Sequence, residues 1–183
     1  MDIREVKTKR SITNAFLELR AKKPLEKISI KELAETAEIS KATFYLHYKD
    51  IYDLSEQLQK DLIQNIISAI PDPNQFLSDS AAAHKMLQNA FFSYQSLIDI
   101  LFSGSQEPLL PKHIEEGLKT AIFKTNPALK DDVKANTTLS FLILGGFYAY
   151  LNNAKTFSAE EVSASLGEIL VRYNTYQNPS ASY

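Results

Sequence analysis

Apolar residues recur along most of the chain at the three- and four-residue spacing of amphipathic helices, whereas the alternation that predicts strands is almost absent. The first apolar stripe predicts a helix over about residues 3–22, which ends before Pro24. The members of this stripe are Ile12, Ala15, Phe16 and Leu19.

Two short helices and one long helix are predicted next. Ser29 and Glu32 have the spacing of a capping box that opens a second helix. Ser40 can cap a third helix that runs to about Tyr48. Asp50 then opens a long fourth helix that ends at the sequence "PDPN".

The rest of the chain continues the helical pattern. A second capping box, Ser158 with Glu161, opens the last helix. The fold class predicted is therefore all-α, with about nine helices. The further segments lie at about residues 75–102, 108–125, 128–154 and 158–176.

The second and third helices are joined by about three residues, which is the arrangement of a helix-turn-helix. Phe44 and Tyr48 lie one turn apart and define the core side of the third helix. The opposite side carries groups that can meet base edges in the major groove of DNA. The alternative is that Tyr45, Leu46 and His47 pack against a neighbouring helix. The outward residues are Ala42, Tyr45, Leu46 and Lys49, flanked by Lys41 and Thr43.

Charge is distributed unevenly along the chain. The formal net charge is -2, yet residues 1–50 carry 11 Lys or Arg against 8 Asp or Glu, and the remaining residues carry 9 against 14. A basic N-terminal part on an acidic body suits a module that meets a polyanion. An excess this small is equally compatible with chance.

Composition excludes several classes of protein. The absence of Cys excludes disulfides and thiolate metal sites and fits a reducing cytoplasm. The longest apolar run, residues 141–151, is about half of the roughly 20 residues that cross a bilayer, and no signal peptide is recognisable. The three His residues are well separated and no hydrolase, metalloprotease or phosphate-loop motif occurs. We therefore expect a protein that is not an enzyme, that binds no metal or cofactor and that does not associate with a membrane.

The segment "SIKELAETAEISKATFYLHYKDIYDL" resembles the DNA-binding segment of the TetR/AcrR family of transcriptional regulators, and the resemblance covers about residues 8–58. It implies that Lys31 approaches the DNA backbone. It also implies that Lys41, Ala42 and Thr43 enter the major groove, and that Tyr45 and His47 hold phosphates. A half-buried structural histidine is the alternative for His47. The complete set of DNA-binding candidates is Lys31, Ser40, Lys41, Ala42, Thr43, Tyr45, His47 and Lys49.

Two positions depart from the family pattern. Glu38 stands where the family usually has Gly in the turn, and a left-handed residue other than Gly costs about 1 kcal/mol. The turn is therefore either strained or of a different shape. Ile51 stands where the family usually has Lys, which removes one expected phosphate contact and leaves Lys49 as the candidate substitute.

The resemblance also sets expectations for the larger half, because "FLILGGFYAYLNNAKTFSAEEVSASLGEIL" is similar, more weakly, to the last two helices of some family members. It implies a DNA-binding domain at 1–49 and a helical regulatory and dimerisation domain at 50–176. The terminal residues 177–183 are predicted, from their own sequence, to be a frayed tail. The helix containing residues 141–151 is apolar around almost its whole circumference, so we expect it to be buried on all sides. The Gly145-Gly146 pair suits either helix packing or a close ligand.

Candidate residues follow for a pocket and for a dimer seam. A mixture of aromatic and polar residues suits a ligand pocket, although it suits an ordinary core equally well. The pocket candidates are Phe91, Tyr94, Gln95, Phe102, Phe123, Asn136, Phe141 and Tyr148. The dimerisation candidates are Phe147, Tyr150, Leu151, Val162, Leu166, Ile169, Leu170 and Tyr173.

The function expected is that of a cytoplasmic, sequence-specific DNA-binding transcriptional regulator. It would bind a palindromic operator of double-stranded DNA as a homodimer and act as a repressor that a small-molecule effector releases. The effector would shift the long fourth helix and change the separation of the two DNA-binding heads. The alternative is the same fold acting through a partner protein, as a co-regulator or activator, with no small-molecule effector.

Overall fold

The computed structural model describes residues 3–177, and in this range the chain forms ten α-helices, three short 3-10 helices and no strand. The predicted all-α fold is therefore confirmed. Of the predicted frayed tail at 177–183, residues 178–183 lie outside the described residues. The α-helices are α1 (Ile3–Arg20), α2 (Ile30–Thr36), α3 (Lys41–Tyr45), α4 (Ile51–Ser68), α5 (Gln75–Ser78), α6 (Ser80–Ser93), α7 (Gln95–Leu101), α8 (Leu109–Thr125), α9 (Val133–Asn153) and α10 (Ala159–Gln177).

The chain forms two compact units. The first contains the described residues up to 62 together with 95–110, and the second contains residues 63–94 and the chain from residue 111. Helix α4 therefore begins in the first unit and ends in the second. Within the described residues, no helix has the combination of length and hydropathy needed to cross a membrane.

The first unit is built on apolar residues of the first three helices. Phe16, Leu33 and Phe44 are fully buried and belong to α1, α2 and α3 respectively. Burial of three large apolar side chains stabilises such a head by about 1.5–3 kcal/mol each. The predicted core sides of α1 and α3 are therefore confirmed.

The predicted capping box of α2 forms only in part. The hydroxyl of Ser29 accepts a hydrogen bond from the Glu32 N–H at 3.2 Å. The Glu32 carboxylate, however, does not return to Ser29, because it accepts from the Lys23 ammonium at 2.5 Å. The box at the start of α10 is complete, since Ser158 and Glu161 each cap the backbone N–H of the other.

Helix α3 is shorter than the sequence predicts and ends at Tyr45 rather than near Tyr48. At this end the His47 N–H donates to the Phe44 carbonyl, three residues back, at 2.9 Å, and further along the Lys49 N–H donates to the Asp53 carboxylate at 2.8 Å. Asp50 in turn accepts from the N–H of Asp53 at 2.8 Å and caps α4. The bond that the Asp53 carboxylate accepts from the Lys49 N–H also holds the pKa of Asp53 below its usual range.

The predicted helix over about residues 75–102 is wrong, because three helices occupy this range. Asp79 interrupts it by capping α6, with its carboxylate accepting from the Ala82 N–H at 3.1 Å. Tyr94 leaves helical geometry between α6 and α7. Helix α7 then belongs to the first unit, where Gln59 donates to the carbonyl of Leu101 at 2.9 Å.

In the second unit, His84 links α6 to α9. Its ring nitrogens lie 2.8 Å from the carbonyl oxygens of Ser80 and Leu142. Gly146 makes room for the ring, since a Cβ at this position would lie 2.3 Å from His84 Nε2. Helix packing therefore accounts for Gly146. Gly145 has open space around it.

The expectation that α9 is buried on all sides is wrong for the single chain. Leu139, Leu142 and Ile143 are buried, but Phe141 and Tyr148 are 68% and 49% exposed. These two aromatics lie on the opposite side of the helix from the buried residues. One face of α9 is therefore left without cover by its own chain.

Candidate nucleic-acid interface

The turn between α2 and α3 keeps the left-handed shape despite the absence of glycine. Glu38 has a φ of 55°. The N–H of Ile39 donates to the Ala34 carbonyl at 2.9 Å, and the N–H of Glu38 donates to the Glu35 carbonyl at 3.2 Å. This pair of bonds is the Schellman motif that ends many helices. Of the two possibilities for this departure, the strained left-handed turn is the one that occurs.

Helix α3 is fixed at both ends by short-range contacts. The Ser40 hydroxyl accepts from the Thr43 N–H at 3.0 Å and caps the helix. Phe44 and Tyr48 are buried with ring centroids 5.7 Å apart. Burial raises the pKa of the Tyr48 phenol, so this group stays neutral. These contacts set the rotation of the helix and decide which side faces solvent.

The outward side of α3 is open to solvent. Tyr45 and Leu46 are 57% and 81% exposed. The alternative that they pack against a neighbouring helix is therefore wrong. Thr43 and His47 are half-buried, and the His47 ring lies 6.4 Å from the ring of Tyr48. The other exposed candidates are Lys31, Ser40, Lys41, Ala42 and Lys49.

Cations lie on this side and are available for phosphates. In the part of the chain that the structure describes, Lys41 and Lys49 form no salt bridge. Lys31 lies 3.9 Å from the Glu35 carboxylate, and both side chains are largely exposed. An exposed pair of this kind is worth at most about 1 kcal/mol, so it can be exchanged for a phosphate contact.

The second departure from the family pattern is explained by packing. Ile51 is 7% exposed and lies in the core at the start of α4. A side chain in this position cannot reach DNA. The sequence identified the departure correctly, but only the fold shows that the position serves the core.

The geometry defines a class of protein, namely a helix-turn-helix protein whose second helix exposes a surface suited to the major groove. Residues 12–58 match the family model described as "Bacterial regulatory proteins, tetR family". This match supports a DNA-binding transcriptional regulator of the TetR type. Regulators of this family are DNA-binding proteins and not enzymes. Comparisons with curated proteins and with solved structures gave no match.

A second candidate site is a small cavity of about 50 Å³ in the second unit. Its lining is apolar apart from His84, Gln88 and the phenol of Tyr150. Burial lowers the pKa of His84 against the raising effect of its two carbonyl contacts. Phe91 is the one predicted pocket residue that lines it. Sequence reasoning missed most of the wall, which consists of His84, Leu87, Gln88, Phe92, Ile114, Ile143, Gly146, Phe147, Tyr150, Leu151 and Leu166.

The other predicted pocket residues are not gathered in one place. Asn136 donates to the carbonyls of Leu129 and Asp132 and so ties down the start of its own helix. Gln95 donates to Asp99 at 2.7 Å and belongs to the first unit, as does buried Phe102. Phe141 and Tyr148 face solvent, and Tyr94 and Phe123 are half-buried away from the cavity.

The predicted dimerisation residues divide into two groups. Four of them line the cavity instead of the surface, namely Phe147, Tyr150, Leu151 and Leu166. Val162 and Leu170 are buried within the chain, Tyr173 is half-buried and Ile169 is exposed. The sequence of an apolar helix does not show which of its sides faces inward. For this reason some residues predicted for the dimer seam line the cavity, and some residues predicted for the pocket face solvent.

Proposed function

We propose that this regulator binds its operator by placing α3 in the major groove. Lys41, Ala42 and Thr43 then meet base edges, and the remaining candidates hold phosphates or, like Ser40, cap the helix. The observation that carries the proposal is the exposed outward face of α3, with Lys41 and Lys49 free of salt bridges among the described residues. The phosphate group consists of Lys31, Tyr45, His47 and Lys49.

The proposed binding species is a homodimer. The uncovered face of α9 supports this, because Phe141 and Tyr148 flank the open space at Gly145. Lys134 is the one charged residue in α9, so the face offers nothing that would select a charged partner. A bulky–small–bulky pattern is self-complementary around a two-fold axis. Two heads related in this way would suit a palindromic operator with half-sites about one helical turn apart.

Repression released by an effector is the regulatory mode that we propose. Helix α4 spans both units without interruption, so a change in the second unit can move the DNA-binding head. The cavity of about 50 Å³ is far below the roughly 300–1,000 Å³ of ordinary ligand pockets. An effector must therefore displace aromatic side chains such as Phe147 or Tyr150. The apolar lining of the cavity favours an uncharged, largely apolar effector, which would act in the cytoplasm where the operator lies.

The alternative is that a partner protein takes the place of the effector. The small cavity favours this alternative, as does an open groove of about 700 Å³ along α6 and α10. Exposed Phe92 and Val171 lie along this groove. In this case the regulator would act with a co-regulator and would need no small molecule.

The test is selection of a duplex from a random library, followed by binding measurements with the selected sequence. We expect a palindromic sequence, bound by two chains with an affinity that falls steeply with salt. Lys41→Ala combined with Tyr45→Ala should abolish specific binding without unfolding the chain, because both side chains are exposed. Lys124→Ala, an exposed lysine of the second unit, is the control. Retained specific binding by the double variant would contradict the proposal.

A further inference from the structure

Leu46 is an unusually exposed leucine on the DNA-facing side of the head. It is 81% exposed, whereas the next most exposed leucine in the described chain, Leu109, is 37% exposed. Exposing so much of one apolar side chain forgoes the stabilisation that burial would give. The side chain is also not isolated, because exposed Ala42 and Tyr45 lie beside it on the same helical face. An apolar patch in this position needs an explanation other than folding.

The side chain cannot turn inward to escape water. The Leu46 N–H donates to the Ala42 carbonyl at 3.2 Å, which fixes the backbone in helical geometry at this position. Phe44 and Tyr48 already occupy the inward side. Leu46 is therefore held on the outside by the same packing that sets the rotation of α3.

The chemistry available on α3 limits how bases can be recognised. Guanine is typically recognised by paired hydrogen bonds from Arg, adenine by paired hydrogen bonds from Asn or Gln, and cytosine by acceptance at Asp or Glu. The segment from Lys41 to Tyr48, "KATFYLHY", contains none of these five residue types. Lys41 is its single long cationic donor. Apart from hydrogen bonds from Lys41 and Thr43, the contact in the major-groove code that this segment can make is apolar contact with the C5-methyl group of thymine.

We infer that Leu46 is a specificity-determining residue that packs against a thymine methyl group in each operator half-site. The flanking cations support this placement, because Lys49 would hold a phosphate on one side of Leu46 while Lys41 meets a base edge on the other. Ala42, one turn earlier, can meet a second methyl group. The inference rests on the proposed function and adds the chemical class of base that the helix selects.

The test uses the selected duplex, in which each thymine of one half-site is replaced in turn by uracil. This exchange removes only the methyl group and leaves every hydrogen-bonding group in place. For wild type we expect the dissociation constant, measured by fluorescence anisotropy, to rise about fourfold at one position, the value for one buried methyl group. Leu46→Ala should bind the thymine and uracil duplexes at this position equally well. Its circular dichroism melt should match wild type, because the side chain is exposed.

Leu109→Ala is the matched control, since it makes the same chemical change outside α3 and should keep the wild-type preference for thymine. The inference is overturned if wild type distinguishes thymine from uracil at no position, or if Leu46→Ala keeps the discrimination. Either result, with salt-dependent operator binding intact, leaves the proposed function standing. Failure to select any duplex would overturn both.

Discussion

Replacing Glu38 by glycine should stabilise the protein. The residue has a φ of 55°, a conformation that costs a residue with a Cβ about 1–2 kcal/mol. Glycine removes this cost but has greater freedom in the unfolded chain, which offsets about 0.5–1 kcal/mol. The Schellman bonds of Glu38 and Ile39 use backbone groups alone, so both survive the exchange. The net expectation is a gain of about 0.5–1 kcal/mol in the free energy of unfolding.

Urea denaturation at fixed protein concentration measures this gain, and a thermal melt should rise by about 1–4 °C for a chain of this size. Glu38→Ala is the control, because it removes the same exposed carboxylate but keeps the Cβ that causes the strain. We expect Glu38→Gly to be more stable than both wild type and Glu38→Ala. Equal stability of the two variants would refute the reasoning, because it would show that the Cβ carries no cost in this turn.

Three further predictions concern the second unit and its proposed partner. Gly146→Ala should lower the free energy of unfolding by about 1–3 kcal/mol, because the new Cβ would lie 2.3 Å from His84 Nε2 and force the ring from a buried hydrogen bond. Gly167→Ala is the control, since Gly167 has open space around it and the variant should not be destabilised. Equal urea midpoints for the two variants would contradict this account. Burial lowers the pKa of His84 below its ordinary value of 6.5, so the unfolded chain binds this proton more readily. Stability should therefore be greatest above about pH 6.5 and decline as the pH falls towards the pKa of the folded state, and a decline that persists in His84→Gln would count against it. Phe141→Asp should convert the dimer to a monomer in analytical ultracentrifugation while the exposed-site control Tyr52→Asp remains dimeric, and a dimeric Phe141→Asp would place the seam elsewhere.

The sequence predicted the parts of the fold that depend on neighbouring residues. Ser29, Ser40 and Ser158 all cap the helices that they were expected to open. The sequence did not predict the end of α3, where the His47 N–H donates to the carbonyl of Phe44, nor the carboxylate contact by which Asp53 then accepts the Lys49 N–H. Asp79 broke a predicted helix by the same kind of contact.

The candidate DNA surface was predictable and the cavity was not. On α3, the apolar pair Phe44 and Tyr48 separates inward from outward positions, so the periodic pattern alone orients the helix. Helix α9 has apolar residues on every side, so its pattern contains no such information. Phe147 was expected at a dimer seam and Tyr148 in a pocket, and the structure places Phe147 on the cavity wall and Tyr148 on the surface. Only contacts with distant helices decide between these sides.

The most direct test of the central claim, that the outward face of α3 contacts DNA, is the salt dependence of binding to the selected duplex. Wild type, Lys49→Ala and Lys124→Ala would be compared, and both variants lose the same charge. We expect Lys49→Ala, which removes a proposed phosphate contact, to bind more weakly and to reduce the slope of log affinity against log salt by about one per subunit, while Lys124→Ala follows wild type. If Lys49→Ala and Lys124→Ala give the same affinity and the same slope, this face of α3 does not lie on DNA.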